Sequence, residues 1–261
     1  MAQQAQDTSK QHKKADQYND PSYNYLHYWD GRDYEHAAEE VAIQRLLKGK
    51  HFGKAVDIGG GYGRLCLLLE KYADKVVLAE PSQQQLDIAK DFLKGHDEIE
   101  RKLVQASDLE MPDGSVDLIT MVRVMHHLPD PTPELAEIAR VLSDDGYAII
   151  EMANYAHARN RLRHLIRGSK LPVRPVDIRS AQNKKKDEVP FVNHNPHTMM
   201  RQLSHAGLRV ERILSVSNLR SPRLKQMLSV NTMINIEKAL QVPLAPMFFG
   251  PSIFFLVRKV D

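Results

Sequence analysis

Short apolar runs alternate with amphipathic segments between residues 35 and 152. Five apolar runs have the length of buried strands and lie at 55–58, 75–80, 102–106, 116–124 and 147–152. Apolar residues recur at helical spacing at 35–50, 65–73, 82–93 and 134–142. Strands that alternate with helices in this way predict a parallel sheet covered by helices on both faces, an α/β fold.

The alternation stops after residue 153 and resumes near residue 191. Residues 154–190 have no clean period and are strongly basic: ten Lys and Arg residues and one acid, Asp177, lie between Tyr155 and Lys186. Beyond them, the pattern predicts a helix at 196–205, a strand at 208–216, a longer helix at 221–240 and a final strand at 252–260. We therefore expect one domain with a basic insertion.

Aromatic residues crowd into a segment near the N-terminus. Residues 1–17 are polar and predict a disordered tail. The segment that follows contains Tyr18, Tyr23, Tyr25, Tyr28, Trp29 and Tyr34. It fits either a hydrophobic strap packed on the domain or an aromatic lid over a ligand, and aromatic residues alone do not distinguish the two.

The composition excludes several classes of protein. Hydrophobic residues make up 42% of the 261 residues, enough for a packed core, so wholesale disorder is excluded. The single cysteine, Cys66, excludes a disulfide framework and a cysteine-based zinc site. The net charge of +3 is too small to require a nucleic-acid partner.

The sequence predicts neither a secretory signal nor a transmembrane segment. The N-terminus has no apolar stretch. The longest apolar stretch, 242–257, contains three prolines and a glycine and is shorter than the roughly 20 residues that a spanning helix needs. We therefore expect a soluble cytoplasmic protein, with peripheral membrane contact left open.

A glycine-rich loop, VDIGGGYGR at 56–64, follows the first predicted strand. Its glycines let the backbone approach a ligand, and the next helix offers its N-terminal N–H groups, so the loop suits a nucleotide-like cofactor. The pattern G-x-G-x-x-G fails in every frame, which disfavours a dinucleotide-dependent oxidoreductase, and no Gly-Lys-Ser/Thr completes a phosphate-binding loop. Asp57, at the strand end, favours a cationic or amine-bearing ligand.

Two further acids follow the next two strands. Glu80 closes the second strand, where a carboxylate can accept both hydroxyls of a ribose. Asp108 follows the third strand, where it suits the exocyclic amine of a base. Any one of these acids also fits a helix cap or a loop residue. Together, three acids at successive strand ends predict one nucleotide-binding crevice.

Four segments resemble those of class I S-adenosylmethionine-dependent methyltransferases, in particular the small-molecule "type 11" group. They are VDIGGGYGRL, VVLAEPS, ASDLEMPDGSVDLITMVRVMHHLPDP and LAEIARVLSDDGYAIIEMAN, in this order. The resemblance covers about residues 35–153, and 190–261 at the level of topology. It implies a Rossmann-like, doubly wound seven-stranded sheet whose last strand is antiparallel. It also implies S-adenosylmethionine as cofactor and S-adenosylhomocysteine as product.

The resemblance also implies a set of cofactor residues. The glycines give access to the methionine portion, Asp57 orients its ammonium and Glu80 binds the ribose. Asp108 and Leu109 hold the adenine. Arg123 occupies the position beside the methyl group, where small or polar residues are commoner, and this departure favours an anionic substrate. The full predicted set is Asp57, Gly59, Gly60, Gly61, Gly63, Glu80, Pro81, Ser107, Asp108, Leu109 and Arg123.

Methyl transfer needs a base only if the acceptor loses a proton late, so the sequence constrains catalysis weakly. The catalytic candidates are His126, His127 and Arg123. In the methyltransferases that the sequence resembles, however, a His before Leu at this position is often a packing residue. His194 and His197 fit either the pocket or a helix cap, and a His-x-x-His metal site lacks further ligands. The other candidates for the substrate lid are Tyr28, Arg32 and Tyr34. Arg32 suits a carboxylate of the ligand, and the alternative for it is a surface ion pair.

The basic insertion lies where the resembling family places its substrate lid. A patch for RNA, a solvated loop and a contact with an anionic membrane are the other interpretations. We expect methyl transfer to a small organic acceptor, anionic or amphipathic. The alternatives are an RNA methyltransferase and a cofactor-binding relative without turnover. The expected segments are a tail at 1–17, an aromatic strap and helix at 18–50, a cofactor-binding part at 51–153, a basic lid at 154–190 and a C-terminal part at 191–261.

Overall fold

A seven-stranded sheet forms the centre of the computed structural model, which describes Tyr18, residues 28–185 and residues 189–260. The strands are β1 (Phe52–Ile58), β2 (Ala73–Glu80), β3 (Glu100–Leu103), β4 (Val116–Met121), β5 (Leu142–Ala153), β6 (Val176–Asp177), β7 (Val192–Asn193), β8 (Leu208–Val216) and β9 (Ser252–Lys259). The helices are α1 (Asp33–Leu46), α2 (Cys66–Leu69), α3 (Gln83–Phe92), α4 (Thr132–Val141), α5 (Ala158–Ile166), α6 (Ala181–Lys185), α7 (Pro196–His205), α8 (Pro222–Met227) and α9 (Val230–Leu240). The predicted tail at 1–17, Tyr23, Tyr25 and Lys186 lie outside the described residues.

The strand order of the large sheet is β3-β2-β1-β4-β5-β9-β8. The strands β1 to β5 pair in parallel, whereas β9 runs antiparallel to both of its neighbours, β5 and β8. The predicted seven-stranded sheet with an antiparallel last strand is therefore confirmed. The strand order reverses between the neighbouring strands β1 and β4, because β2 and β3 follow on one side and β5 on the other. In an open α/β sheet, the ligand crevice usually lies at the carboxyl ends of the strands where the order reverses.

Helices cover both faces of the sheet. Along β2, Val76 and Leu78 pack into the cluster that contains residues of α1, α3 and α9. Val77 and Ala79 pack into the opposite cluster, which contains residues of α4 and α7. Successive side chains of a strand point to opposite faces, so a central strand buried on both faces is apolar throughout. The uninterrupted apolar runs therefore predicted β1, β2 and β4 correctly, whereas the third strand, predicted at 102–106, begins and ends earlier, at Glu100–Leu103, where most residues are exposed.

The single helix predicted at 221–240 is wrong, because the structure has two helices there, α8 and α9. Leu228 and Ser229 lie between them with extended backbone angles (ψ 142° and 153°). The Ser229 hydroxyl accepts a 3.2 Å hydrogen bond from the Thr232 N–H and so begins α9 as its N-cap. A serine that satisfies a backbone donor in this way competes with continuation of the preceding helix.

The basic insertion folds into short elements rather than one regular unit. It contains α5 and α6, and β6 pairs with β7 in a separate two-stranded sheet. Arg179 and Lys184 hold Asp177, with contacts of 2.8 and 4.0 Å to its carboxylate. Across the described ranges, no helix is both long and apolar enough to cross a membrane.

Candidate active site

A cavity of about 260 Å³, the inner cavity, opens at the carboxyl ends of β1, β2 and β4. Eight of the eleven predicted cofactor residues line it: Asp57, Gly59, Gly60, Gly61, Glu80, Pro81, Ser107 and Arg123. The sheet brings these residues together because parallel strands end at the same edge. The inner cavity therefore coincides with the crevice expected from the strand order.

Asp57 is the buried carboxylate of the inner cavity. Its Oδ1 accepts a 2.6 Å hydrogen bond from the Thr120 hydroxyl. Burial raises the pKa of Asp57 to about 6, while the Thr120 hydrogen bond and the charge of Arg64 act in the opposite direction. Most of this carboxyl is ionised at neutral pH, and a cationic group in the cavity would favour the ionised form further.

Glu80 holds the glycine loop in place. Its Oε2 accepts a 2.8 Å hydrogen bond from the Gly61 N–H, and its Oε1 accepts one of 2.9 Å from the Ser82 N–H. The loop leaves no room for side chains: a Cβ on Gly59 would lie 2.4 Å from Val124 Cγ2, and one on Gly60 would lie 2.4 Å from Asp57 Oδ2. The glycines thus permit the close approach of backbone and carboxylate that shapes the cavity.

Three predicted cofactor residues do not line the inner cavity. Gly63 has a φ of +88°, and a Cβ there would meet Leu93 Cδ1 at 2.7 Å, so this glycine permits packing against α3. Asp108 is exposed, and its Oδ1 lies 3.4 Å from the Glu110 N–H. Leu109 is buried in the core and its N–H donates to Glu137 Oε1 at 2.8 Å.

Two residues that the sequence reasoning missed, Gln85 and Glu134, line the inner cavity. Gln85 Oε1 and Glu134 Oε2 are buried and have no hydrogen-bond partner among the described residues. Gln85 lies in the first turn of α3 and Glu134 in the first turn of α4. Because these helices begin near the carboxyl ends of β2 and β4, polar residues in their first turns were the available signal.

Arg123 separates the inner cavity from a second, larger one. Its backbone has a φ of +63°, a conformation uncommon outside glycine, and its N–H donates to Glu151 Oε2 at 3.0 Å. Its guanidinium donates to the Tyr28 hydroxyl and lies 3.6 Å from Glu39 Oε1. It also lies 5.4 Å from the centre of the Trp29 ring.

The second cavity, the outer cavity, has a volume of about 850 Å³. It lies between the N-terminal aromatic segment, the start of the basic insertion and the 217–225 segment. Its five Lys and Arg residues are Arg32, Arg123, Arg159, Arg220 and Lys225, and its four acids are Asp30, Glu35, Glu39 and Glu151.

Most carboxylates of the outer cavity are already engaged. Glu35 contacts Lys225 at 2.7 Å, and Glu39 contacts Arg64 at 2.6 Å. Glu151 accepts a 2.6 Å hydrogen bond from Ser252 Oγ, and burial raises its pKa, which favours the neutral form. Arg159 has no ion-pair partner in the described part of the chain. The charge left over in this cavity is therefore positive.

His126 and His127 face different cavities. His126 lines the outer cavity, where burial and the nearby cationic groups lower its pKa well below the usual range, so its ring is neutral at pH 7. His127 lines the inner cavity. In its neutral ring, Nδ1 donates to the Pro190 carbonyl at 3.0 Å, and Nε2 accepts from the Tyr18 hydroxyl at 2.9 Å.

The remaining candidates divide between the outer cavity and the core. Tyr28 and Arg32 line the outer cavity, and the Arg32 guanidinium lies 4.0 Å from the Tyr28 ring centre. Tyr34 is 1% exposed and lies away from both cavities. Its hydroxyl donates to Glu237 Oε2 at 2.8 Å and accepts from the Leu219 N–H at 2.9 Å. Tyr34 therefore links α1 to α9 and to the segment after β8.

His194 and His197 line neither cavity. The buried His194 ring donates to the Met125 carbonyl at 2.9 Å and so supports the turn that carries His126 and His127. The His197 ring packs edge-on against Phe248, with 5.2 Å between ring centres. Among the residues that the structure describes, no group of His, Cys, Asp or Glu side chains is arranged to hold a metal ion.

Comparison with known proteins matches residues 56–150 to the family described as "Methyltransferase domain". A methyltransferase of Dictyostelium discoideum is 38% identical over 96 residues, which make up 37% of this chain and 35% of that protein. The demethylmenaquinone methyltransferase of Clavibacter sepedonicus is 29% identical over 110 residues, 42% of this chain and 45% of that protein. The chain thus spans less than half the length of these relatives.

Solved structures share most of the fold. An S-adenosylmethionine-dependent methyltransferase from Thermotoga maritima matches with a TM-score of 0.62 and 19% identity, over 90% of this chain and 94% of that one. The family match includes most of the inner-cavity residues. Of the described residues that line the outer cavity, it includes two, Arg123 and His126. The comparisons therefore inform the inner cavity far more than the outer one.

Proposed function

We propose that the chain is a class I S-adenosylmethionine-dependent methyltransferase and that it transfers a methyl group to a small organic acceptor held in the outer cavity. The observation that carries this proposal is that Arg123 lines both cavities. A group transferred between molecules requires two binding sites that meet at the reacting atoms. Arg123 marks the place where the two cavities meet.

The inner cavity fits the chemistry of S-adenosylmethionine. The cofactor presents an ammonium group, two ribose hydroxyls and an exocyclic amine, all of which donate hydrogen bonds. The inner cavity presents acceptors: the carboxylates of Asp57 and Glu80 and the unpaired oxygens of Gln85 and Glu134. Buried acceptors without partners are unfavourable, so a ligand rich in donors would stabilise them. We assign Asp57 to the ammonium, Glu80 to the ribose and Glu134 to the adenine amine.

The outer cavity favours an acceptor with an acidic group and an apolar part. Arg32 and Arg159 provide positive charge at its wall, while Ile178, Phe191 and Phe249 provide apolar surface. A guanidinium binds a carboxylate or phosphate through paired hydrogen bonds. An anionic, amphipathic molecule would satisfy both parts of this lining.

The protein's contribution to the transfer is to orient the acceptor and exclude water. The cofactor supplies a methyl group that is already activated by its sulfonium, so no protein nucleophile is needed. Where the acceptor must lose a proton, His126 is the better-placed base, because its ring lies on the acceptor side of Arg123. Its lowered pKa makes it a weak base, which suits an acceptor whose proton is itself acidic. His127 faces the inner cavity and is positioned by Tyr18 and Pro190.

The proposal is tested by incubating the protein with methyl-labelled S-adenosylmethionine and a cell extract separated into small-molecule, RNA and protein fractions. We expect label in the small-molecule fraction, and none with Asp57→Ala, which lacks the carboxylate assigned to the ammonium. Label in RNA would instead support the RNA methyltransferase. Binding of the cofactor by calorimetry without label in any fraction would support a relative that binds without turnover. The cytoplasmic location stays a prediction.

A further inference from the structure

The basic insertion exposes an aliphatic face on α5. Leu162, Leu165 and Ile166 are 58%, 78% and 77% exposed. They are spaced three and four residues apart, which places them on one side of the helix. Asn160 is the buried residue of α5, so the helix turns its apolar side to the solvent rather than to the core. Val173 and Ile178, 60% and 48% exposed, add to the aliphatic surface of the same insertion.

Cationic side chains surround this face. The described part of the insertion, 154–185, carries nine Lys and Arg residues and one acid, Asp177, which is engaged by Arg179 and Lys184. Arg159, Arg163 and Arg167 recur every four residues along and just beyond α5. A helix that combines exposed aliphatic residues with a surrounding positive charge is typical of segments that lie on anionic membranes.

Two other occupants fit this surface less well. Nucleic-acid bases stack on aromatic side chains, and the large exposed residues of the insertion are aliphatic. A second copy of the chain would bring two strongly positive surfaces together, which like-charge repulsion disfavours. An anionic lipid surface, in contrast, offers both a negative charge and an apolar layer below it.

We propose that the insertion, through Leu162, Leu165 and Ile166 and the cationic residues around them, docks the protein on anionic lipid membranes. The same insertion contributes Ala158, Arg159 and Ile178 to the wall of the outer cavity. Docking would therefore bring this cavity close to the lipid surface, from which an amphipathic acceptor enters. This last step rests on the proposed function, whereas membrane binding itself requires no turnover.

The test is co-sedimentation of the full chain with phosphatidylcholine vesicles, with and without phosphatidylglycerol. We expect binding to the vesicles that contain phosphatidylglycerol and about tenfold or more weaker binding for Leu165→Gln/Ile166→Gln. The matched control is Leu103→Gln/Val242→Gln, which changes two aliphatic residues that are 53% and 49% exposed and lie outside the basic insertion. Neither pair changes the charge, and both should bind S-adenosylmethionine like the wild type, which separates this test from the proposed function.

A separate fluorescence experiment tests whether the aliphatic face of α5 enters the membrane. Leu165→Trp places a reporter on α5, and its emission should shift to shorter wavelength with anionic vesicles, beyond any change of the wild type, whose one tryptophan is Trp29. Equal vesicle binding by Leu165→Gln/Ile166→Gln and by the control pair would overturn the proposal. An unshifted emission of Leu165→Trp would also overturn it. Two other results would also overturn it. The first is binding to RNA that is tighter than binding to anionic vesicles and that Leu165→Gln/Ile166→Gln retains. The second is self-association of the wild type in sedimentation velocity that Leu165→Gln/Ile166→Gln loses.

Discussion

Thr120 and Asp57 are register partners in the paired strands β4 and β1, and the Thr120 hydroxyl donates a 2.6 Å hydrogen bond to the Asp57 carboxylate. The threonine lies 63 residues after the aspartate in the chain. Burial alone would favour the neutral carboxyl, and this hydrogen bond offsets part of that effect. The pairing of two strands thus sets the charge of the group that we assign to the cofactor's ammonium.

We expect cofactor affinity to depend on pH through Asp57. The pKa of Asp57 in the free protein is about 6, and an ammonium binds the ionised form, so affinity should fall as the pH drops below that value. The expected loss is about tenfold between pH ~7 and pH ~5, measured by calorimetry. Thr120→Val, which removes a hydrogen bond to the ionised form, should move the loss to higher pH. A profile that Asp57→Asn leaves unchanged would contradict the assignment.

The same carboxyl should affect stability with a definite sign. Between the ordinary pKa of 3.8 and about 6, the folded state holds a proton that the unfolded state has released. The free energy of unfolding without cofactor should therefore fall as the pH rises through this window, by roughly 2–3 kcal/mol from this group. Urea unfolding of the wild type and of Asp57→Asn at matched pH isolates the contribution.

Glu134, rather than Asp108, should contribute to cofactor affinity. Glu134 Oε2 is buried in the inner cavity without a partner among the described residues, whereas Asp108 is exposed and lies outside the cavity. Glu134→Gln keeps an acceptor oxygen but removes its charge, and a hydrogen bond to a charged group is stronger than one to a neutral group by about 1 kcal/mol, so the variant should weaken cofactor binding about fivefold in calorimetry. Asp108→Asn is the matched control and should bind like the wild type. The reverse result would restore the assignment made from the resemblance.

Sequence patterns predicted the fold better than the site. Each of the runs that became β1, β2 and β4 is apolar enough to indicate burial on both faces, and the glycine loop with its flanking acids indicated the cofactor crevice. The resemblance added the antiparallel last strand. These features are encoded locally, within ten or so residues, which is why they are legible without the structure.

The features that were missed depend on contacts between distant parts of the chain. Tyr34 looked like a lid residue beside Tyr28, but its hydroxyl bonds to Glu237, 203 residues later. Gln85 looked like an ordinary helix residue until the fold placed it against the inner cavity. Which side chain reaches a cavity is decided by packing of whole elements, and no local pattern carries that information.

Tyr34 should matter for stability and not for cofactor binding. Tyr34→Phe leaves the Leu219 N–H without its acceptor and the buried carboxylate of Glu237 without one of its donors. Unsatisfied buried groups cost about 1–3 kcal/mol, so the free energy of unfolding in urea should fall by that amount. Tyr147→Phe is a suitable control, because no hydrogen bond of its hydroxyl occurs in the described residues. Weaker cofactor binding with unchanged stability would instead support the lid.

Gly63 and Gly95 form a matched pair for the packing role of the glycine loop. Their φ angles are +88° and +89°, so a side chain at either position meets a similar backbone strain of about 1–3 kcal/mol. A Cβ at Gly63 would also meet Leu93 at 2.7 Å, whereas nothing lies within 4 Å at Gly95. Gly63→Ala should therefore destabilise the protein by about 1–3 kcal/mol more than Gly95→Ala in thermal or urea unfolding. Equal losses would show that Leu93 moves aside at little cost.

Arg123 should contribute, together with Arg32 and Arg159, to the preference for anionic acceptors. Arg123→Gln keeps the backbone N–H that donates to Glu151, and Glu39 keeps its 2.6 Å contact with Arg64, so we expect the variant to fold. Loss of a charged hydrogen bond of about 1.5–3 kcal/mol should lower kcat/KM for an anionic acceptor by roughly 10- to 100-fold. An acceptor analogue in which the acid is replaced by an amide should lose far less. Arg212→Gln, in β8 and outside both cavities, is the control. If both acceptors lose activity equally, Arg123 acts as a structural wall between the cavities and does not recognise the acceptor's charge.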